Sequence, residues 1–130
     1  MTKEEHIKYW EDIAEKDWDA AMDLFHTKKY VHCLFFAHLT LEKLCKAQWV
    51  KNNDENHPPR IHNLVKLIAD IDLGFSEDEL AFMERMNDFQ LEGRYPDYMQ
   101  KIYTVCTNEY TATILEQVKT IKECLQKKLR

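Results

Sequence analysis

The stretch "YVHCLFFAHLTLEKLCKAQWV", residues 30–50, decides the fold of this chain of 130 residues. Apolar side chains recur in it at helical intervals, but they cover nearly the whole circumference instead of one stripe. A helix that is apolar all round has to be buried by neighbours on more than one side. The stretch therefore predicts a central helix, which we expect to be the most buried element of an all-α protein.

Amphipathic segments flank this central helix. Before it, apolar residues from Ile7 to Phe25 recur every three or four positions and predict a long first helix. After it, the polar stretch "KNNDENHPPRIH", residues 51–62, contains paired prolines that cannot sustain a helix. We expect this stretch to form the long loop of the protein.

The second half of the chain predicts three more helices. A short one contains Leu64 and ends before Gly74, which suits the left-handed conformation after a helix end. A capping box at "SEDE", residues 76–79, opens a fourth helix that is expected to end near Leu91. No breaker follows Asp97, so one long fifth helix is predicted to reach the end of the chain. The pattern indicates an up-and-down bundle of five helices in a single domain of residues 1–130.

Composition and charge exclude several classes of function. Acidic residues outnumber basic ones by 23 to 18, and the net charge of −5 opposes sequence-independent binding to nucleic acid. We expect no DNA partner. The N-terminal segment is charged throughout, and no apolar stretch is long enough to cross a membrane, so we expect a cytoplasmic protein without a membrane partner.

The cysteines and histidines give no sign of a metal centre. The four cysteines lack C-x-x-C spacing, which favours buried reduced thiols on the predicted helices. No two histidines stand four residues apart, as a zinc site on one helix requires. We predict no metal and no cofactor.

Four features of the chain, taken in order, resemble the HEPN domain. They are two long opening helices with "AHLTLEKLCKA" (37–47) in the second, a polar loop with proline, a short helix opening "IHNLVKL" (61–67), and "RYPD" (94–97) before the last long helix. The resemblance implies a bundle of four or five helices that usually forms a homodimer. Small HEPN proteins of this kind are often encoded beside a minimal nucleotidyltransferase, and the two together behave like a toxin and its neutraliser.

The resemblance also implies an activity, but this chain departs from the motif that carries it. Active HEPN proteins are metal-independent RNases marked by an arginine that is followed, after four to six residues, by a histidine. Only Arg94 matches, because the three positions for the histidine hold Met99, Gln100 and Lys101. Methionine cannot exchange a proton with a ribose hydroxyl, and lysine would need a large pKa shift to do so near neutral pH. The chain therefore resembles a HEPN protein that has lost this chemistry.

The segment around Arg94 supplies the first candidate ligand-binding residues. The planar guanidinium of Arg94 can bind a phosphate with two parallel hydrogen bonds, and Tyr95 and Tyr98 can stack on a base. Asp97, at the start of the next helix, belongs to the same candidate site. The structural alternative is that Arg94 pairs with Glu92, Asp97 or a carboxylate across a dimer, while the tyrosines pack in a core or an interface.

His38 and Glu42 are the other candidate ligand-binding residues. They stand four residues apart on the central helix, in a part that the HEPN resemblance places beside the arginine, so we expect a polar cluster of His38, Glu42 and Arg94. The alternative is that they are solvated or lie at a dimer edge. A buried ionised Glu42 would need a partner. His62 is interpreted as a residue at the start of the third helix whose ring bonds a local backbone group.

These observations lead to one expected function and two alternatives. The expected function is that of a non-enzymatic HEPN interaction module, the partner of a minimal nucleotidyltransferase, with a groove near Arg94 for a nucleotide or RNA end. One alternative is a divergent RNase toxin in which another residue, for example His38, replaces the missing histidine. The other is a generic helical adaptor.

Overall fold

The computed structural model describes residues 1–130, and its regular secondary structure consists of helices. It confirms the all-α prediction, although it contains six α-helices instead of five. A single 3₁₀ turn, Asn87–Phe89, follows the fourth helix. The α-helices are α1 Lys3–His26, α2 Tyr30–Asn52, α3 Leu64–Ile68, α4 Glu77–Met86, α5 Pro96–Val105 and α6 Asn108–Lys128. None of them combines the length and apolar character that crossing a membrane requires.

Helix α2 is the centre of the molecule, as its sequence predicts. Of its 23 residues, 14 are buried, more than in any other helix, because α1, α3 and α6 all pack against it. Ala14 and Ala21 of α1 are fully buried and have side chains small enough to let α1 approach α2 closely. On another side, the Gln48 amide donates to the Leu125 carbonyl of α6 at 2.9 Å. The core is therefore built around one helix with several neighbours.

Lys3 joins the beginning of α1 to the end of α2. Its ammonium group donates to the carbonyl oxygens of Val50 and Asn53, at 2.8 and 2.7 Å, and to the side-chain oxygen of Asn56, at 2.9 Å. The last carbonyls of a helix have no partner within the helix, so a cation placed there satisfies them. The contact also fixes the start of the 53–63 loop on the first turn of α1.

The predicted helix boundaries around α4 are partly confirmed. Gly74 adopts the left-handed conformation, with φ of +73°, and Ser76 and Glu79 form the predicted capping box. The α-helix ends at Met86, however, and not near Leu91. A 3₁₀ turn then buries Phe89 against the core before the chain leaves the bundle.

The prediction of one long fifth helix is wrong, because the helix is interrupted between α5 and α6. Thr107 takes an extended conformation, and its hydroxyl accepts a hydrogen bond from the Tyr110 N–H, as a helix N-cap does. The break also shifts the buried face. An unbroken helix would bury Tyr110, but the structure buries Thr111 and Leu115 and leaves Tyr110 exposed.

The four cysteines are free thiols. Cys33, Cys45 and Cys106 are buried, while Cys124 is half-buried. Burial raises the pKa of Cys33 to about 12 and that of Cys106 to about 11, and it raises the pKa of Cys45 as well. Three of them lie within helices as predicted, whereas Cys106 is the C-cap of α5.

Candidate functional site

A tight turn between the 3₁₀ segment and α5 presents Arg94 at the surface. Gly93 has a φ of +74°, a conformation that glycine adopts without a steric penalty, and the Arg94 N–H donates to the Leu91 carbonyl at 3.2 Å. Pro96 is the first residue of α5, where a missing N–H breaks no helical hydrogen bond. The helix break predicted from this segment is therefore present.

Two contacts hold the Arg94 guanidinium and leave its outer nitrogens free. Its Nε donates to the Gln90 carbonyl at 3.0 Å, and its central carbon lies 4.2 Å from the centroid of the Tyr98 ring, within the range of a cation–π interaction. The Tyr98 hydroxyl donates to the Asp88 carbonyl, which fixes the ring. Partial burial raises the pKa of Tyr98, and Arg94 opposes that rise. No carboxylate of this chain pairs with Arg94, so the alternative of an intrachain ion pair does not describe this arginine.

The residues that follow Arg94 are mostly open to solvent. Tyr95 is 81% exposed, and Asp97 is exposed in the first turn of α5. Met99 packs partly against the core, while Gln100 and Lys101 are exposed. The surface around Arg94 thus combines aromatic rings with positive and negative charge, but α5 contributes no histidine to it.

A second group of polar residues lies inside the molecule around Glu42. The Glu42 side chain is only 3% exposed, and its carboxylate accepts from Lys46 Nζ at 3.1 Å and from His62 Nδ1 at 2.9 Å. His38 Nδ1 lies 3.9 Å from the same carboxylate. A buried carboxylate needs such partners, because an isolated charge in the interior is strongly unfavourable. The partner expected for a buried Glu42 therefore exists.

His38 is fully buried and joins α2 to the 3₁₀ turn that follows α4. Its Nε2 lies 3.2 Å from the side-chain oxygen of Asn87, which also accepts from the Leu64 N–H at 3.1 Å. Because that oxygen is an acceptor, His38 must donate from Nε2, which leaves Nδ1 without a hydrogen bond. Burial lowers the pKa of His38, and Glu42 opposes this effect only in part. A neutral ring shielded from solvent is not placed to contact a ligand at the surface.

His62 corrects one expectation and links the two polar groups. Its ring bonds the Glu42 carboxylate and not a local backbone group, because the start of α3 packs directly against α2. The side chain is 47% exposed, and its Nε2 lies 3.7 Å from a carboxylate oxygen of Glu92, two residues before Arg94. No hydrogen bond or ion pair joins Arg94 itself to His38 or Glu42. The predicted cluster thus separates into a buried part and a surface part, with His62 between them.

The sequence analysis did not assign three residues to the polar group around Glu42. The spacing of Lys46, four residues after Glu42, could have indicated their contact, because such pairs face each other on a helix. No sequence pattern indicated Asn87 or His62, since each contacts α2 across at least 20 positions of the chain.

Comparison with protein-family models identifies the family to which this fold belongs. The model of the HEPN domain matches residues 7–129. The chain belongs to the HEPN domain family, so the resemblance noted in the sequence is confirmed over nearly the whole chain. A comparison with curated proteins found no match.

Proposed function

We propose that this HEPN domain is a non-enzymatic binding module that holds the phosphate of a nucleotide or RNA end at Arg94. The observation that carries this proposal is the state of the Arg94 side chain. The side chain is exposed, its guanidinium carbon lies 4.2 Å from the centre of the Tyr98 ring, and neither of its terminal nitrogens has a partner in the chain. Terminal nitrogens that no group of this chain engages are available to an anionic ligand.

The contacts around Arg94 suit a phosphate. The two terminal nitrogens form a planar fork, which matches two oxygens of a phosphate group. The bond to the Gln90 carbonyl and the cation–π contact with Tyr98 orient the fork before binding, and this reduces the entropy lost on binding. Tyr95, one residue away and 81% exposed, offers a face on which a base can stack.

Binding of a short 5′-phosphorylated single-stranded RNA, followed by fluorescence anisotropy, tests this site. Arg94→Ala should weaken binding by roughly tenfold to a hundredfold, since hydrogen bonds to charged groups contribute about 1.5–3 kcal/mol. Arg94→Lys keeps the positive charge but not the planar fork, so its affinity should lie between those of the native chain and Arg94→Ala. Arg85→Ala, which removes another exposed arginine from α4, is the matched control. Equal affinities for all four proteins would reject the phosphate site and leave only an interaction with proteins.

The protein-binding half of the proposal is a homodimer that engages a minimal nucleotidyltransferase. Its support is the distribution of exposed apolar side chains, four of which lie on or beside α5 and the start of α6: Tyr95, Tyr103, Val105 and Tyr110. Exposed aromatic and apolar side chains concentrated in one segment of a chain are typical of interfaces. Light scattering should give the mass of a dimer for the native chain and of a monomer for Val105→Glu. Lys16→Glu, an exposed change on α1, is the control, and a monomeric native chain would reject the dimer.

A divergent metal-independent RNase is the second candidate, and the position of His62 favours it. This imidazole is half exposed, is oriented by the buried Glu42 carboxylate, and approaches the segment that carries Arg94. The arrangement resembles that of a general base held by a carboxylate. His38, by contrast, is buried and bonded to Asn87. RNA cleavage by the native chain that is lost in His62→Gln would establish this function, and no cleavage where an active HEPN protein cleaves would reject it.

A further inference from the structure

A cleft that contains none of the residues around Arg94 lies between the first turns of α1 and the 53–63 loop. Its volume is about 430 Å³, within the range of roughly 300–1,000 Å³ that is usual for small-molecule sites. Tyr9 and Trp10 of α1 form one wall, and Asn56 and Arg60 of the loop contribute to the other. Lys46 of α2 also lines the cleft, which is therefore formed by three separate parts of the chain.

The charge of this cleft is opposite to that of the whole protein. None of its nine lining residues is acidic, although the chain carries five more acidic than basic residues. Lys46 and Arg60 contribute cationic groups, and His6 and His57 contribute imidazoles whose rings meet edge to face at 5.3 Å. Lys46 is partly neutralised by Glu42 behind it. Arg60 has no hydrogen bond or ion pair to its side chain, so its guanidinium is an unpaired cation in the cleft.

The aromatic residues of the cleft add a second kind of recognition. Tyr9 is 51% exposed and meets the Trp10 ring at 5.5 Å in an edge-to-face arrangement. The Lys46 ammonium lies 5.4 Å from the Trp10 centroid, so it is close to the ring and to the cleft at once. Aromatic faces of this kind stack on flat rings, while arginine and lysine bind anionic groups.

The cleft is also held in shape before any ligand arrives. Lys3 binds the side-chain oxygen of Asn56 at 2.9 Å and the Asn53 carbonyl at 2.7 Å, and these bonds tie the loop to α1. Asn56 itself lines the cleft. A loop fixed in this way loses little freedom on binding, which favours affinity.

We propose that this cleft binds a small anion that carries a flat ring, with the ring on Tyr9 and Trp10 and the anionic group on Arg60. A nucleoside monophosphate combines both features and is the suitable probe. The site shares no residue with the Arg94 turn, so it stands whether or not Arg94 binds phosphate.

Isothermal titration of the full chain with AMP, adenosine and inorganic phosphate tests the cleft. AMP should bind more tightly than either adenosine or phosphate, because only AMP uses both the aromatic wall and Arg60. Arg60→Ala should weaken AMP binding by about tenfold or more, as expected for the loss of a charged hydrogen bond. Tyr9→Ala should also weaken it, while Arg85→Ala should leave it unchanged.

Arg94→Ala distinguishes this proposal from the function proposed above. AMP binding that is lost in Arg94→Ala and retained in Arg60→Ala would overturn the cleft proposal and support the other site. Binding of adenosine as tight as that of AMP would overturn the role of Arg60. If titration of the native chain with AMP gives no binding signal, the cleft proposal is overturned altogether. Because Arg60 and Tyr9 are exposed, their variants are expected to fold, and circular dichroism of each provides the check.

Discussion

Replacing Glu42 by glutamine tests the electrostatic role of the buried group directly. Glutamine has the shape of glutamate, so Glu42→Gln removes the charge and leaves the packing of α2 nearly unchanged. The carboxylate now accepts from Lys46 at 3.1 Å and from His62 at 2.9 Å. After the change, the Lys46 ammonium, whose side chain is only 10% exposed, has no carboxylate beside it.

The expected loss of stability follows from that orphaned charge. Removing one partner of a buried ion pair commonly costs about 3–5 kcal/mol. Two features of the site lower this cost: the glutamine oxygen still accepts one hydrogen bond, and the Lys46 ammonium faces the open cleft, where water can reach it. We therefore expect Glu42→Gln to lower the free energy of unfolding by about 2–3 kcal/mol.

A double variant separates the charge from other effects of the change. In Glu42→Gln with Lys46→Met, the orphaned ammonium is gone and an apolar side chain packs beside Trp10, so stability should return to within about 1 kcal/mol of the native chain. Urea unfolding followed by circular dichroism measures all three proteins, and Glu84→Gln, on the surface of α4, is the control. A loss below about 1 kcal/mol for Glu42→Gln, or a double variant no better than the single one, would refute the reasoning.

Three further predictions concern acid stability, thiols and the helix break. Burial lowers the pKa of His38 below its usual value of 6.5, so on acidification the unfolded chain takes up a proton before the folded chain does. The free energy of unfolding should therefore fall as the pH drops below about 6.5. Urea midpoints should show this fall in the native chain and a smaller fall in His38→Asn. Cys124 is the least buried cysteine, so Ellman's reagent should modify one thiol quickly in the folded chain and the other three only on unfolding. Thr107→Ala should cost about 1 kcal/mol in thermal or urea unfolding, because the Tyr110 N–H loses its cap.

The local features of the fold could be predicted because each depends on a few adjacent residues. The apolar circumference of α2 is visible in one stretch of 21 letters, and the Ser76–Glu79 capping box depends on residues three positions apart. The break before α6 was missed, although Thr107 followed by Asn108 and Glu109 is a recognisable N-cap. Apolar residues continue at helical intervals across this position and concealed the break. Only the burial of Thr111 and Leu115 shows that a different face of the helix is buried after it.

The candidate site was less predictable because it depends on contacts between distant residues. Burial of Glu42 could be anticipated from its apolar neighbours, and burial in turn required a partner. The identity of His62 as that partner could not be read from the sequence, since 20 residues and a loop separate the two. The cleft of Tyr9, Lys46 and Arg60 is a more extreme case, because no spacing in the sequence connects its walls.

Helix α5 is attached to the rest of the molecule by few contacts, and this determines how the proposed binding at Arg94 would be detected. It lies between the Gly93 turn and the Thr107 break, and Ile102 is its only buried residue. Such a segment can open by itself at a lower free energy than global unfolding requires. A ligand at Arg94 would slow the hydrogen exchange of the α5 amides, and it would also raise the melting temperature of the whole bundle. Only residue-resolved exchange would therefore locate the occupied site at this end of the protein.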